Sequence, residues 1–410
     1  MARTSSGISR RRLIATGASS LALGIAGPAG LRAQTATLKV GVILPLSGVL
    51  SFPGIATRRG TELAVKMFNE QGVKLDVSFA DTESKPENGR VTAEKLIRDG
   101  ASVIIGAWDS GATISAAQAC EAAHVPLVVN VGSAPQITEL GFPQLFRNFP
   151  PSSTIVAKGV ALFKELPRGN GFDPKTAVVL HVNDTFGEAT GAAVKAVWDK
   201  IGLGIEIVDT ISYDLRARDL SIEVGKAKAT GADLVCPITR VNDAILIVRE
   251  MVKQDYNPMA IYGPSSPGPY EKAFTDALGK YSNDYLTSVP WYDPGRDITR
   301  QVLARWAKEM PGQRFELNSG FGWESIQVVA DAFRRAGSSS PADLHAALKT
   351  TDIAEHPMYG GPIAFDDHGQ NVNIGIPLLQ NQNQEPVLIA PAGSAQGKPR
   401  LPMTPWSQRG

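Results

Sequence analysis

The chain alternates short runs of apolar residues with longer segments in which apolar residues recur every three or four positions. Leu38–Leu44 predicts a buried strand, and residues 56–71 place Leu63, Ala64 and Met67 on one helical face. Further strands are predicted at 75–80, 102–106, 126–131, 177–182, 205–211, 234–238 and 260–262. Further helices are predicted at 86–99, 112–123, 186–201, 219–230, 242–254, 269–278, 297–310, 319–336 and 341–350. Such alternation indicates βαβ units and parallel sheets.

The strands fall into two arrays of four or five. This predicts an α/β protein with two Rossmann-like, doubly wound lobes, and proline-rich stretches at 149–152 and 289–295 mark the junctions. The predicted first lobe comprises residues 34–150 and 295–362, and the predicted second lobe comprises residues 151–290 and 363–390. Residues 391–410 are predicted to form a loose C-terminal tail.

Residues 1–33 resemble an export signal. They contain five arginines but no lysine or acidic residue, and the weakly apolar stretch 13–29 is interrupted by glycine and proline. The run S-R-R-R-L-I at 9–14 resembles the twin-arginine signal, and Ala33 offers a cleavage point; a basic disordered tail is the alternative. No later stretch reaches ~18 uninterrupted apolar residues, so the mature chain is not expected to span a membrane.

Removing this segment changes the charge. The 410-residue chain has 41 basic and 40 acidic residues, so the loss of five arginines turns a net +1 into −4. Neither value gives the basic surface that nucleic acid requires, and 43% apolar residues exclude wholesale disorder. Cys120 and Cys236 lie in apolar patterns, which predicts two buried free thiols instead of a disulfide scaffold or zinc site.

Motifs for cofactors and covalent catalysis are missing from the sequence. It has no G-x-G-x-x-G after a strand, no G-x-x-x-x-G-K-[ST] and no G-x-S-x-G, and its five histidines are scattered. We therefore expect no cofactor and no metal, and an exported Rossmann-like enzyme is the less favoured alternative.

Candidate binding chemistry lies in the loops that follow the strands, because open α/β sheets bind ligands beyond the carboxyl ends of their strands. The loop W-D-S-G-A-T at 108–113 leads straight into a helix. Its amides and the Ser110 hydroxyl can hold a carboxylate. Alternatively, Asp109, Ser110 or Thr113 only caps the helix.

Four segments together resemble type I periplasmic solute-binding proteins of ABC importers, in the leucine/isoleucine/valine-binding branch. They are K-V-G-V-I-L-P-L-S-G at 39–48, G-x-x-x-S-G-A-T at 106–113, V-P-L-V-V-N-V-G-S-A-P-Q-I-T at 125–138 and N-D-T-F-G at 183–187. The resemblance runs from about residue 38 to 391. It implies two lobes joined by three crossover strands, a cleft that closes on a small-molecule solute, and an inner-membrane permease as partner; we also expect a monomer.

The resemblance implies individual ligand contacts. Ser110 matches the family serine that holds the carboxylate of the ligand. Phe52 and Phe186 stand where aromatic residues commonly line the pocket, although packing explains either equally well. The further contacts implied by the A-x-T-A-P pattern lie in the segment Val131, Gly132 and Ser133.

One position departs from the amino-acid binders of this family. They resemble G-P-E-G after a strand of the second lobe, and that glutamate holds the ammonium of the ligand; here residues 263–266 read G-P-S-S, so Ser265 replaces the acid. A buried ammonium without its partner costs about 3–5 kcal/mol, or roughly 10²–10³-fold in affinity, unless Asp109 or Asp184 supplies the charge from another direction. Arg240 adds a positive charge that can pair a second carboxylate or stack on a ring; a surface ion pair beside Asp243 is its alternative.

The remaining pocket candidates are aromatic: Trp108, Phe186, Trp291 and Tyr292. A buried ring contributes about 4–6 kcal/mol, enough to replace an ammonium contact. We therefore predict a periplasmic protein that captures an organic or aromatic carboxylate, in preference to a free amino acid, by lobe closure and delivers it unchanged to a permease. A ligand-sensing module of a receptor system shares this fold and is the alternative.

Overall fold

The computed structural model describes residues 37–409, so the predicted export signal at 1–33 lies outside the described residues. The strands are β1 (Leu38–Leu44), β2 (Leu75–Asp81), β3 (Val103–Ile105), β4 (Leu127–Val129), β5 (Leu145–Arg147), β6 (Thr176–Val182), β7 (Glu206–Tyr213), β8 (Leu234–Ile238), β9 (Ala260–Pro264), β10 (Leu286–Ser288), β11 (Leu378–Gln382) and β12 (Glu385–Ala390). The helices are α1 (Ser51–Glu70), α2 (Asn88–Arg98), α3 (Ser110–Ala122), α4 (Gln136–Glu139), α5 (Ser152–Lys164), α6 (Thr185–Ile201), α7 (Ser221–Ala229), α8 (Val241–Lys253), α9 (Lys272–Leu278), α10 (Asp297–Glu309), α11 (Leu317–Ala336) and α12 (Pro341–Leu348). None of these helices is long and apolar enough to cross a membrane.

The strands form two sheets. The first has the order β2-β1-β3-β4-β5 and is entirely parallel. The second has the order β12-β11-β10-β9-β8-β6-β7, in which β11 and β12 are antiparallel additions at one edge. Central strands such as β8 are buried along their whole length, as expected where helices cover both faces of a parallel sheet. The predicted α/β class with two parallel-sheet lobes is confirmed.

The chain passes three times between the elements of the two sheets. It leaves the first sheet after β5, returns after β10 to form α10–α12, and enters the second sheet again at β11. Helix α11 packs along α1, which places it with the first sheet. The resemblance implies three such crossovers, while the residue boundaries of the lobes stay a prediction.

Carboxylate side chains cap the first turns of two helices that follow strands. Asp109 accepts a hydrogen bond from the backbone N–H of Ala112 and caps α3, and Asp184 does the same for α6 through Gly187. Each replaces an acceptor that the first helical turn lacks. The same two residues recur below, because both capping carboxylates face one arginine.

The C-terminal segment differs from its prediction. Residues 391–410 are rich in proline and glycine, yet the indole of Trp406 donates to the carbonyl of Tyr256 at 2.7 Å and is 4% exposed. The Met403 N–H donates to the Met259 carbonyl at 2.7 Å. The prediction of a loose tail is therefore wrong for residues 391–409, because burying two large side chains against the second sheet outweighs the composition of the segment.

Both cysteines are buried and free, as predicted. Cys120 lies in the core of the first sheet and Cys236 in that of the second. Burial raises the pKa of Cys120 to about 12 and raises that of Cys236 further, so neither forms a thiolate at neutral pH.

Glycines allow α1 and α11 to pack with their backbones in close contact. A Cβ on Gly60 would lie 2.0 Å from the carbonyl oxygen of Ser319, and one on Gly322 would lie 2.3 Å from that of Thr57. The hydroxyl of Thr61 donates to the carbonyls of Thr57 and Gly322 across the same contact. This crossing fixes the start of α11, which contributes to the site described below.

We expect Gly60→Ala to lower the free energy of unfolding by about 1–3 kcal/mol, because the added methyl group forces the two helices apart. Urea unfolding measures this. Gly225→Ala is the matched control: it lies in helix α7, where a Cβ would meet only the Gln254 side chain at 3.6 Å. The control should be neutral or stabilising, since alanine favours helix over glycine by about 1 kcal/mol. Equal losses in both variants would contradict the close-packing argument.

Candidate functional site

The ends of the parallel strands of both sheets meet around one cavity. Its wall is formed by residues that follow β3, β4 and β5 of the first sheet and β6, β8, β9 and β10 of the second. The space between its atoms, including the part that is open to solvent, measures about 410 Å³. The lining residues are Trp108, Ser110, Val131, Ser133, Phe149, Ile155, Phe186, Arg240, Ser265, Pro267, Val289, Pro290 and Leu317. Apolar side chains predominate, with three serines and one arginine.

The first helix turn of α3 presents a hydroxyl to the cavity. Asp109 is the N-cap of α3, so Ser110 is not needed for capping. The oxygen of Ser110 accepts a hydrogen bond from the Ala134 N–H at 3.2 Å, which leaves its proton available as a donor. The capping interpretation is therefore correct for Asp109, while Ser110 faces the cavity and its contact with a ligand carboxylate stays a prediction.

Arg240 carries the one formal charge among the described residues that line the cavity. Its guanidinium lies 2.6 Å from a carboxylate oxygen of Asp184 and 3.3 Å from one of Asp109. It also lies over the rings of Phe186 and Trp108, at 4.8 and 5.7 Å from their centroids. Burial raises the pKa of Asp109, an effect that Arg240 opposes. The arginine is thus held between two acids and two aromatic rings.

The alternative of a surface ion pair between Arg240 and Asp243 is wrong, since Arg240 is only 4% exposed. Asp243 instead accepts the backbone N–H of Arg240 at 2.9 Å and the hydroxyl of Tyr213 at 2.6 Å. Burial raises the pKa of Asp243 to about 6. Asp243 therefore fixes the backbone of Arg240, while its guanidinium pairs elsewhere.

Two cavity residues have a left-handed backbone that non-glycine residues rarely adopt: Trp108 with φ +70° and Ser265 with φ +61°. Such strain costs of order 1–3 kcal/mol and persists only with local support. The Trp108 N–H donates to Asn130, its indole N–H donates to Asn318 at 2.9 Å, and the Ser265 N–H donates to the Ser288 carbonyl. These bonds hold both residues in the cavity wall.

Seven of the ten predicted contacts line this cavity. They are Trp108, Ser110, Val131, Ser133, Phe186, Arg240 and Ser265. Asp109 lies directly behind them as the partner of Arg240. Contact of any of these residues with a ligand stays a prediction.

The other expectations about the lining need correction. Phe52 is 53% exposed and lies by a different cavity, because α1 begins at Ser51 instead of residue 56 and places it in the first helical turn. Gly132 faces away from the cavity, toward Ile137, and only its neighbours line the wall. Trp291 and Tyr292 stack on each other in the core of the first sheet and its helices.

Sequence reasoning missed six lining residues: Phe149, Ile155, Pro267, Val289, Pro290 and Leu317. The strand-end rule could have found Val289 and Pro290, because they directly follow β10, but that three-residue strand was not predicted. Leu317 begins α11 and follows no strand, so only the α1–α11 packing brings it to the cavity. No local sequence signal marks it.

Comparisons with known proteins agree with this architecture. A family model described as periplasmic binding protein matches residues 37–382. Leu/Ile/Val-binding protein homolog 8 of Brucella abortus (strain 2308) is 27% identical over 384 residues, which cover 90% of this chain and 94% of the relative.

Two solved structures have the same fold. A branched-chain amino acid transporter substrate binding protein of Streptococcus pneumoniae, in complex with isoleucine, has 19% identity and a TM-score of 0.74 and covers 86% of this chain and 98% of its own. An ABC transporter solute binding protein of R. palustris, in complex with benzoate, has 20% identity and a TM-score of 0.75. The match covers 87% of this chain and 96% of the R. palustris chain. At these identities the likeness shows the fold alone.

Two buried carboxyl groups line the separate cavity beside Phe52 and do not line the candidate site. Glu316 caps α11 through the N–H groups of Asn318 and Ser319, and Glu271 precedes α9 with one carboxyl oxygen unpaired among the described residues. Burial raises the pKa of Glu316 to about 7. Burial also raises the pKa of Glu271 well above its usual value, and the nearby charge of Glu316 raises the pKa of Glu271 further. Asn318 connects Glu316 to Trp108 in the wall of the candidate site.

We expect the free energy of unfolding to fall as pH rises from about 4.5 to 7, because the folded chain holds protons there that the unfolded chain has released. Glu271→Gln removes one acid and the like-charge interaction. The variant should be more stable than the parent at pH 8 by about 1–3 kcal/mol and should depend less on pH. Urea unfolding at pH 5 and pH 8 measures both effects. The exposed Glu206→Gln is the control and should leave the pH profile unchanged; a profile equally unchanged in Glu271→Gln would contradict the assignment.

Proposed function

The chain belongs to the periplasmic binding protein family, which confirms the resemblance noted in its sequence, and from this premise we propose that it captures an aromatic or organic carboxylate for an ABC-type importer. After export through its twin-arginine-like signal, it binds the solute in the periplasm as a monomer and delivers it to an inner-membrane permease. The solute is not chemically converted.

One observation carries the choice of ligand class: the acids nearest the cavity are already occupied. An amino acid brings an ammonium group that needs a buried carboxylate. Asp109 and Asp184 are the candidates, yet both are paired with Arg240. The guanidinium of Arg240 also lies over the rings of Trp108 and Phe186. Arg240 occupies the position that an ammonium would need, and Ser265 provides no replacement acid. A ligand with a carboxylate and an apolar body brings no ammonium and therefore needs no free acid in the wall.

The carboxylate would bind at the serine side of the cavity. Ser110 and Ser133 supply hydroxyl donors at the start of α3 and after β4, where the helix N-terminus also favours an anion. The ring or apolar chain of the ligand would then pack against Phe149, Phe186 and Leu317. These side chains come from both sheets, so the ligand contacts both lobes at once.

Capture requires that the ligand bind more tightly to the closed arrangement of the lobes than to the open one, since only this difference drives closure. The walls contributed by β6, β8, β9 and β10 supply that difference, because they reach the ligand only when the lobes approach. A closed protein presents both lobes to the permease together. The isoleucine and benzoate bound by the two similar structures define the competing ligand classes.

Isothermal titration of protein freed of endogenous ligand by unfolding and refolding tests the proposal. The panel comprises benzoate, 4-hydroxybenzoate and phenylacetate against leucine, isoleucine and valine. We expect an aromatic carboxylate to bind at least about 100-fold more tightly than any of the amino acids, which corresponds to the cost of an unmatched ammonium. Recovery of the ligand unchanged by mass spectrometry should accompany binding. Tight binding of leucine with no response to aromatic acids, or the appearance of a product, would overturn the proposal.

We expect Ser110→Ala to weaken binding of the carboxylate by about 1–3 kcal/mol, because its hydroxyl donates to a charged acceptor. The same titration measures this. Ser115→Ala is the matched control on the same helix, since its hydroxyl donates to the Gly111 carbonyl and lies outside the cavity. Equal dissociation constants for both variants would remove Ser110 from the ligand contacts.

A further inference from the structure

Arg147, the last residue of β5, is a buried cation without a carboxylate partner. It is 1% exposed, and no acidic side chain between residues 37 and 409 forms an ion pair with it. Its guanidinium donates only to neutral oxygens. These are the side-chain oxygens of Gln370 at 2.5 Å and Thr138 at 2.7 Å and the carbonyls of Gly132 at 3.3 Å and Ala134 at 2.8 Å.

This arrangement distinguishes Arg147 from the other deeply buried arginines of the described chain. Arg240 has Asp109 and Asp184, and Arg409 lies 3.7 Å from Asp284. Burial lowers the pKa of Arg147 to about 9, which the more distant Glu139 and Asp366 oppose only in part. An anion that entered nearby would offset this desolvation, since a buried charge is stabilised by an opposite one.

The loop 131–135 lies between Arg147 and the cavity. Val131 and Ser133 line the cavity, while the carbonyls of Gly132 and Ala134 point to the guanidinium. In a trans peptide the N–H points opposite to the C=O, so the contact to the Gly132 carbonyl turns the Ser133 N–H away from Arg147 and toward the cavity side. That N–H has no acceptor among residues 37–409. The arginine therefore orients a free donor and polarises it.

We propose that Arg147 is a positioning residue for ligand binding, which balances the carboxylate of the solute from behind the loop 131–135 and orients the N–H donor of Ser133 toward it. This inference rests on the proposed function. It requires no contact between Arg147 and the ligand, because a full charge acts through one peptide layer in a medium of low dielectric constant.

A purely structural role is the competing explanation. The backbone of Arg147 also bonds to Gly369 and Asn371, in the segment that leads back to the second sheet, and its side chain bonds to Gln370. A structural tie would affect all ligands alike. A charge-balancing residue affects anions and leaves uncharged ligands of the same shape unaffected, so the comparison of benzoate with benzamide separates the two roles.

The first test measures the dissociation constants of benzoate and benzamide for the parent, Arg147→Met and Arg147→Lys. We expect Arg147→Met to weaken benzoate about 10- to 100-fold and benzamide less than about threefold, with Arg147→Lys recovering part of the benzoate affinity. An equal effect on both ligands would overturn the proposal. Circular dichroism and urea unfolding establish that each variant is folded.

A second pair of variants decides the question if Arg147→Met does not fold. Thr138 lies outside the cavity and accepts a hydrogen bond from Arg147. Thr138→Asp places a carboxylate against the guanidinium, and Thr138→Asn is its uncharged control. The aspartate should weaken benzoate about 10-fold and leave benzamide unchanged, whereas the asparagine should change neither. Equal benzoate affinities for the two variants would overturn the inference and leave carboxylate capture intact; failure of the parent to bind any carboxylate would overturn both.

Discussion

The need to match every buried charge determines what this cavity can accept. Its wall contains one charged side chain, Arg240, and two helix-capping carboxylates are already paired with it. Because Asp109 and Asp184 cap α3 and α6, they cannot move without loosening the helices that begin at the cavity. The rings of Phe186 and Trp108, whose centroids lie 4.8 and 5.7 Å from the guanidinium, restrict it in the same way. The positions of these charges are therefore fixed by the fold before any ligand arrives, and a ligand ammonium would have to compete with Arg240 for the two carboxylates.

The architecture brings these groups together through the ends of parallel strands. Consecutive strands of one sheet point their carboxyl ends to the same edge, so the loops after β3, β4 and β5 form one wall and those after β6, β8, β9 and β10 form the other. The three chain passages between the sheets lie next to this edge. Arg147 stands where the first passage begins and bonds to Gly369, Gln370 and Asn371 in the third. Arg147 thus connects the loop 131–135, through its bonds to Gly132 and Ala134, with a segment that joins the two sheets.

Regular alternation of apolar and polar residues was sufficient to predict the fold class, because long helices and buried strands leave a periodic signal. It missed β5 (L-F-R) and β10 (L-T-S), which contain polar residues and so lack the continuous apolar run of the equally short β3 and β4. It also misplaced the start of α1, which put Phe52 in the wrong place. Seven site residues were found because they follow strands or match the family pattern. Leu317 and Arg147 were not found: the first reaches the cavity only through helix packing, and the second acts from behind a loop. Tertiary packing of this kind has no signature in local sequence.

Arginine has opposite consequences at the two positions. At position 240 the guanidinium is paired with two carboxylates of its own protein, so it occupies the acids that a ligand ammonium would need. At position 147 the guanidinium is surrounded by neutral oxygens, so its charge is still unmatched within the described residues. In the proposed binding mode, Arg240 would act against an ammonium by occupying these acids, and Arg147 would act on a carboxylate through its electric field from behind the loop 131–135. The two arginines together would then favour the proposed ligand, which has one negative charge and no positive one, over a zwitterion of similar shape, which a hydroxyl-lined, aromatic cavity alone would not do.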